Sequence, residues 1–190
     1  MANSQPYDQL VGPLQVYIAP YGEAVPAVNA TPAGNWVLLG PTDGEQSLQH
    51  MGKLTYFRDN DHQAPVKAVR PDEDIVLKFV VVGLTLENYA RIISRTANLV
   101  SAGGPPATRK LPLKRGAVPT EYAFLFKGSA LSPYGALPGM FVLTRAVFDG
   151  EPQFAVARDG RAGLECEIYV LDDPAVSGND SMGYLIVQTS

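Results

Sequence analysis

The alternation of apolar and polar residues along this chain predicts strands first. Leu14, Val16 and Ile18 alternate with Gln15 and Tyr17, which marks a strand over Leu14 to Ile18. A Pro-, Ala- and Asn-rich stretch without periodicity, AVPAVNATPAGN, then delivers the apolar run Trp36 to Leu39 ahead of a Gly40-Pro41 turn. Two longer extended segments, Gln46 to Arg58 and Val66 to Val82, flank the polar DNDHQAP, a spacing that predicts one long hairpin with an exposed tip. Ile75, Leu77, Phe79 and Val81 share one face of its second strand. From Ile75 onward the opposite face, Val76, Val80 and Val82, is almost as apolar, and Lys78 is its sole charge there. A strand apolar on both faces belongs in a sheet covered on both sides, or in one whose outer face meets another chain.

At Thr85 the period changes from 2 to about 3.6. Leu86, Tyr89, Ala90, Ile93 and Ala97 share a face, Thr85 suits an N-cap, and Glu87 with Arg91 and Arg95 suits the helix dipole, so a helix is expected over about 85–98. Gly103-Gly104-Pro105-Pro106 stops it. Glu121 to Phe126, Met140 to Phe148 and Gly163 to Leu171 read as further strands, and Asp159-Gly160 in RDGRAG as a hairpin turn. A last apolar run, Tyr184 to Val187, follows PAVSGNDSMG. The expected fold is mainly β: an antiparallel β-sandwich or open barrel with one flanking helix, a long hairpin and extended terminal arms. Without repeats or a clear boundary, residues 1–190 form one domain, with an arm over 1–12, a core over 13–174 and a C-terminal extension over 175–190.

Composition agrees with that picture. Charged residues make up only 18%, while 18 Gly and 16 Pro favour turns and extended arms. The net charge of −4 is mild and no basic stripe is evident, so tight nucleic-acid binding is not expected. MANSQPYDQLVGPLQ lacks the charged and apolar regions of a signal peptide, and the longest apolar segment is broken at Lys78, well short of the ~20 residues of a membrane span. A soluble chain without membrane association is the expectation. The single cysteine, Cys166, alternates with Leu164, Ile168 and Val170 and belongs on the inner face of a strand.

Candidate chemistry is sparse. His50, His62 and Cys166 match no zinc spacing. Asp59 with Asp61, and Asp72 with Glu73 and Asp74, could face a hard cation, but they lack the glycine and terminal Glu of a calcium loop and read as solvated acids. There is no Gly-x-Ser-x-Gly elbow, P-loop or dinucleotide fingerprint, and His50 alternates with Leu48, Leu54 and Tyr56 inside a strand. No enzyme, metal or cofactor is expected.

The order of features nevertheless resembles a family. The WVLLG strand at Trp36 to Gly40, two long strands around an acidic tip, the LTLENYARII strand-to-helix junction, and FVLTRAVFDGEPQFAVARDGRAGLECEIYVLDDP at Phe141 to Pro174 together resemble the major tail tube proteins of long-tailed bacteriophages. The resemblance spans roughly Pro13 to Pro174; the insert Ala24 to Gly34 and the tail after Pro174 go beyond it. It implies hexameric rings that stack into the hollow virion tail tube through which DNA is ejected into the host. Assembly would take place in the host cytoplasm. The implied partners are the chain itself, the tape measure protein, a tail terminator, a distal tail protein and DNA in passage.

On that resemblance, the next subunit would cover Val76, Val80 and Val82, and the tip Arg58, Asp59, Asn60, Asp61, His62 and Gln63 would act in ring stacking. The long hairpin would line the channel. Between Pro41 and Asp74 acids outnumber bases, and Asp43, Glu45, Asp72, Glu73 and Asp74 are the candidate wall; an acidic wall lets DNA slide where a basic one would hold its phosphates. The same acids would serve equally as surface solubilisers on the outside of a tube. Two other readings are open: a carbohydrate- or ligand-binding β-sandwich whose Trp36, Tyr56, Tyr122 and Tyr134 line a groove, or another virion component such as a tail terminator or head decoration protein.

Overall fold

The computed structural model describes residues 14–82, 85–113, 118–149, 152, 154–155 and 163–189. The expected N-terminal arm and the Asp159-Gly160 turn lie outside them. Among the described residues the strands are β1 (Gln15–Pro20), β2 (Val37–Leu38), β3 (Thr42–Gly52), β4 (Thr55–Phe57), β5 (Lys67–Val69) and β6 (Glu73–Val82). The helix α1 (Leu86–Ile92) and a 3-10 turn (Thr96–Asn98) follow. Then come β7 (Val100–Ala102), β8 (Thr108–Lys110), β9 (Tyr122–Gly128), β10 (Gly139–Asp149), β11 (Phe154–Ala155), β12 (Gly163–Val170) and β13 (Tyr184–Val187).

Nine strands make one antiparallel sheet in the order β2-β1-β9-β10-β12-β6-β3, with β11 on β12 and β13 on β10. The sheet curls back on itself. Phe79 of β6 meets Phe126 of β9 edge-on, ring centroids 5.6 Å apart, although β12 and β10 lie between the two strands in the sheet. The inner faces of β1, β6, β9, β10 and β12 thus share one core, in which Tyr122, Phe124 and Phe148 add edge-to-face contacts.

A bulge helps to close the curl. Asp43 pairs with Val80 and Ser47 with Lys78, so the ladder skips residues 44–46, with Gly44 at φ +69°. The irregularity lets Gln46 donate through Nε2 to the Leu14 carbonyl at 3.0 Å, tying edge strand β3 to the entry of β1. Among the described residues no ladder joins β3 to β1, so the architecture is an open, sandwich-like sheet and not a closed barrel.

The insert after β1 supplies a second layer. Val25 and Val28 pack with Trp36, Ala19, Leu125, Met140 and Val142 on the reverse of β1, β9 and β10, and the Trp36 indole donates to the Ala24 carbonyl at 2.9 Å. β9 is therefore buried on both faces along most of its length.

The helix is shorter than its periodicity predicts and presents a different face. Thr85 caps it as expected, its Oγ1 accepting from the Asn88 N–H at 3.2 Å. Ser94 then takes φ +55°, Ser94 N–H bonds to Arg91 O at 3.0 Å and Arg95 N–H to Ala90 O at 2.6 Å, a Schellman closure with serine where glycine is usual. The Ser94 hydroxyl also accepts from the Thr120 N–H at 3.0 Å, which helps to hold the left-handed residue. The buried residues are Asn88, Ala90 and Ile92, while Leu86 and Ala97 stay exposed. Asn88 sets this rotation, because its Nδ2 donates to the Leu39 carbonyl at 2.5 Å and its Oδ1 accepts from Arg91 at 2.7 Å.

Part of the C-terminal extension belongs to the sheet. β13 lies along Gly139–Val142 of β10, and Gly183, at φ +117°, admits it: a Cβ there would collide with the Val142 carbonyl. The approach to β13 is held by a polar hub. Arg145 grips Glu121 with two hydrogen bonds (2.9 and 2.6 Å) and donates to the Asp172 carbonyl at 2.9 Å. Buried Asp173 accepts from Tyr21 Oη at 2.7 Å and from the Ala175 N–H at 3.0 Å.

Candidate functional site

The expected long hairpin is present and ends in an arm. The β3–β6 ladder runs to Gly52 opposite Glu73, breaks at Lys53-Leu54 and Arg70-Pro71-Asp72, and resumes as β4–β5 from Thr55 opposite Val69 to Phe57 opposite Lys67. Every residue from 47 to 73 is exposed. Phe57 and Val69 share one face of the β4–β5 ribbon, and Tyr56 lies on the other; Tyr56 is 57% exposed and Phe57 52%. Leu54 and Val66 are exposed beside them. A lone two-stranded ribbon is marginal in water, and one apolar on both faces calls for cover on both sides. Tyr56 is exposed, as expected of a groove aromatic, whereas exposure of Leu54, Phe57, Val66 and Val69 beside it is not anticipated from the sequence, although apolar residues without strict alternation inside a hairpin are its signal.

The tip spends much of its polarity on itself. Asp59 accepts from the backbone N–H groups of Asp61 (3.2 Å) and His62 (2.9 Å) and contacts His62 Nδ1 at 2.8 Å, while Arg58 donates to the Gln63 carbonyl at 3.2 Å. Asn60 and Asp61 are exposed with it. No group of three metal-ligating side chains converges among the described residues.

The remaining candidates sit on or beside the outer face of β6. Val80 stands between Asp43 of β3 and Glu165 of β12, and Val76 between Gln49 and Tyr169. Lys78 stands between Ser47 and Glu167, its Nζ 3.2 Å from Glu167, and Asp149 of β10 extends that row. Val76 and Val82 are already buried within the chain, whereas Val80 is half-buried. Asp74, on the same face, accepts from the Tyr169 hydroxyl, a bond that raises the tyrosine's pKa. Glu45 lies exposed in the bulge; with Lys78, Val80, Asp149, Glu165 and Glu167 it borders a shallow cavity of about 220 Å³.

The other two acids flank the root of the arm. Asp72 is exposed at the bend, and Glu73 meets Arg70 at 2.9 Å and His50 at 3.6 Å; the Arg70 hydrogen bond holds its carboxyl below the usual range. The fold thus brings Asp43 and Val80, assigned by sequence to a channel wall and to a subunit contact, onto one surface.

The aromatic groove does not form from the four residues named for it. Trp36 and Tyr122 are buried in two different clusters, which leaves Tyr56 on the arm and Tyr134 in the loop before β10 exposed. Cys166 is in the core, where burial pushes its thiol up to about 12.

No family model and no curated protein sequence matches this chain. Among solved structures it is similar to a chain in the tail of an empty GTA particle determined with C6 symmetry, with 9% identity and a TM-score of 0.46 over 92% of this chain and 95% of that one. It is also similar to a chain in the six-fold symmetrised baseplate of the anti-feeding prophage (AFP), with 12% identity and a TM-score of 0.43 over 88% and 93%.

Proposed function

We propose that this chain is a structural subunit of a phage-type tail tube, assembling as stacked hexameric rings around a channel for DNA. The observation that carries the proposal is the β4–β5 arm, whose Tyr56 and Phe57 project from opposite faces into solvent. Such a ribbon gains stability only by lying between other surfaces, and copies of the same chain in a neighbouring ring supply them. The outer edge of β3, which no other strand pairs with among the described residues, points the same way, since an eleven-residue edge strand invites pairing with another chain. The resemblance of Pro13 to Pro174 to tail tube proteins names the assembly, and with it the tape measure, terminator and distal tail proteins as partners and the virion tail as its place.

Asp72 and Glu73, at the root of the arm, are the acids proposed for the channel wall, and the tip residues 58–63 for ring stacking. No catalytic role is proposed. Negative-stain microscopy of the purified chain over a range of concentrations is the test. Rings or tubes about one subunit thick in their wall are expected; a protein that stays monomeric at every concentration would refute the proposal.

A further inference from the structure

Charge is unevenly distributed along this chain. Of its fifteen lysines and arginines, six fall between residues 88 and 120 (Arg91, Arg95, Arg109, Lys110, Lys114 and Arg115), and none of its nineteen aspartates and glutamates does. These cations are too dispersed to read as a basic stripe in the sequence. The fold gathers some of them. Among the described residues β7 and β8 pair with each other and with no other strand, and every residue from 100 to 110 is exposed. Arg109 and Lys110 lie on β8, and Arg109 is braced by an ion pair with Glu87 and by Ser101 Oγ at 3.4 Å. Val100 and Leu113 flank them, 54% and 74% exposed.

The outer sheet face described above has the complementary make-up. Asp43, Asp149, Glu165 and Glu167 surround half-buried Val80, and Lys78, paired with Glu167, is the cation among them.

We propose that the β7–β8 ribbon of one copy docks on the outer face of β12, β6 and β3 of a second copy. Lys110 then lies among the carboxylates and Val100, its cross-strand partner on the same ribbon face, lies on Val80, while Arg109, on the opposite face, keeps its pair with Glu87 of its own chain. This deepens the ring-forming subunit proposed above and rests on it. Ribbon and face are different patches, so the contact is head-to-tail, the kind that closes into a ring when the rotation allows. Opposite charge steers such an encounter and suppresses like-with-like pairing. Nucleic acid is the less fitting occupant: six cations over this span are sparse for following a phosphate backbone, and exposed Val100 and Leu113 gain nothing from one.

The test uses the full-length chain and two charge-reversed variants, Lys110→Glu on the ribbon and Asp43→Lys with Glu165→Lys on the face, followed by light scattering and microscopy. Each variant alone should need roughly tenfold more protein to assemble, or fail to assemble. An equimolar mixture should recover, because each variant's ribbon then meets the other's face. Wild-type assembly should slow from about 0.1 M to 1 M salt as the screening length falls from about 10 to 3 Å. Circular dichroism of each variant separates misfolding from lost contact.

Variants that assemble singly at the wild-type concentration would overturn the docking and leave the tube standing. A ribbon variant that assembles normally but no longer retards duplex DNA in a gel, where the wild type does, would assign the ribbon to nucleic acid and overturn it too. Salt-sensitive pairing of wild type that is lost in each variant and restored by mixing, without rings or tubes, would support the contact and refute the tube.

Discussion

Phe79 and Val80 are neighbours in β6 with opposite surroundings, so substituting them separately divides folding from assembly. Phe79 is 2% exposed and meets the Phe126 ring edge-on at 5.6 Å. Truncating such a residue to alanine typically costs about 3–5 kcal/mol through lost burial and the cavity left behind, with the loss of the aromatic pair included in that range or slightly above it. For a chain of this length each kcal/mol lowers Tm by roughly 2–4 °C, so Phe79→Ala should melt about 6–20 °C below wild type. Phe79→Asp adds an unpaired buried carboxylate, against a total stability of about 5–15 kcal/mol, and should not fold.

Val80→Glu faces outward between Asp43 and Glu165. It lines up a third carboxylate with two others at a cost of a few tenths to about 1 kcal/mol per neighbour, so its Tm should fall by about 1–8 °C and the protein should stay folded. Far-UV circular dichroism and thermal melts report the fold, and light scattering with microscopy reports assembly. The expected pattern is a destabilised Phe79→Ala and a folded Val80→Glu that does not assemble. A Phe79→Ala that melts within about 2 °C of wild type would refute the curled core, because burial of this size cannot be removed without effect. A Val80→Glu that polymerises normally would refute the role given to the outer face.

Replacing Asp59 to Gln63 with a short Gly linker should leave circular dichroism unchanged and stop tube growth; loss of the fold would make the tip structural. Gly183→Ala should detach β13, since its Cβ would meet the Val142 carbonyl at a φ of +117°, and amide exchange at Gly139–Val142 should rise while that of β9 does not; equal protection in both proteins would refute the tight approach. Acid should release the C-terminal segment before the core. Arg145 holds the Glu121 carboxyl, and Tyr21 the Asp173 carboxyl, below their ordinary values. Depressed folded-state values mean that these groups stabilise the fold above the ordinary carboxylate range of about 4 and lose that contribution as pH falls through the depressed values. NMR should therefore show residues 172–188 changing at a higher pH than β9, and simultaneous loss would count against the hub. Iodoacetamide should leave Cys166 unmodified in the folded chain at pH 8, because the buried thiol is protonated there; labelling at the rate of the denatured chain would place it outside the core.

Much of the β architecture was legible because each strand carries its own period. Tyr184–Val187 matched residue for residue, the strands around Tyr122 to Gly128 and Gly139 to Asp149 moved by a residue or two, and the hairpin from β3 to β6 held apart from the bends at its waist. The helix shows where local pattern runs out. Its stop depends on Ser94 in a left-handed conformation with its hydroxyl on Thr120, and its buried face depends on Asn88 reaching Leu39, 49 residues earlier. Neither residue type announces that role, since the partner that stabilises it is remote in sequence. The same holds for Gln46, which turns inward through an irregularity that alternation does not predict. The insert is the loop its lack of periodicity predicts, but its valines become a layer only when Trp36 and the reverse of β9 are brought beneath them.

The candidate surfaces were legible as residue types and not as positions, and position decides their role. An apolar strand face and an acid-rich segment look compatible in sequence, one for a neighbouring subunit and one for a channel wall. The register places Asp43 directly across from Val80, and a surface covered by protein cannot also face a channel. Val76 and Val82 no longer demand a partner, being buried by their own chain, so the need for cover on this face reduces to Val80 and its frame of carboxylates. A sliding polyanion gains nothing from a half-buried valine and needs only that cations be few. A partner with cations around an apolar patch satisfies both parts of the surface at once, which is why the docking proposed here assigns this face to a neighbouring copy and leaves Asp72 and Glu73, at the root of the arm, to face the channel.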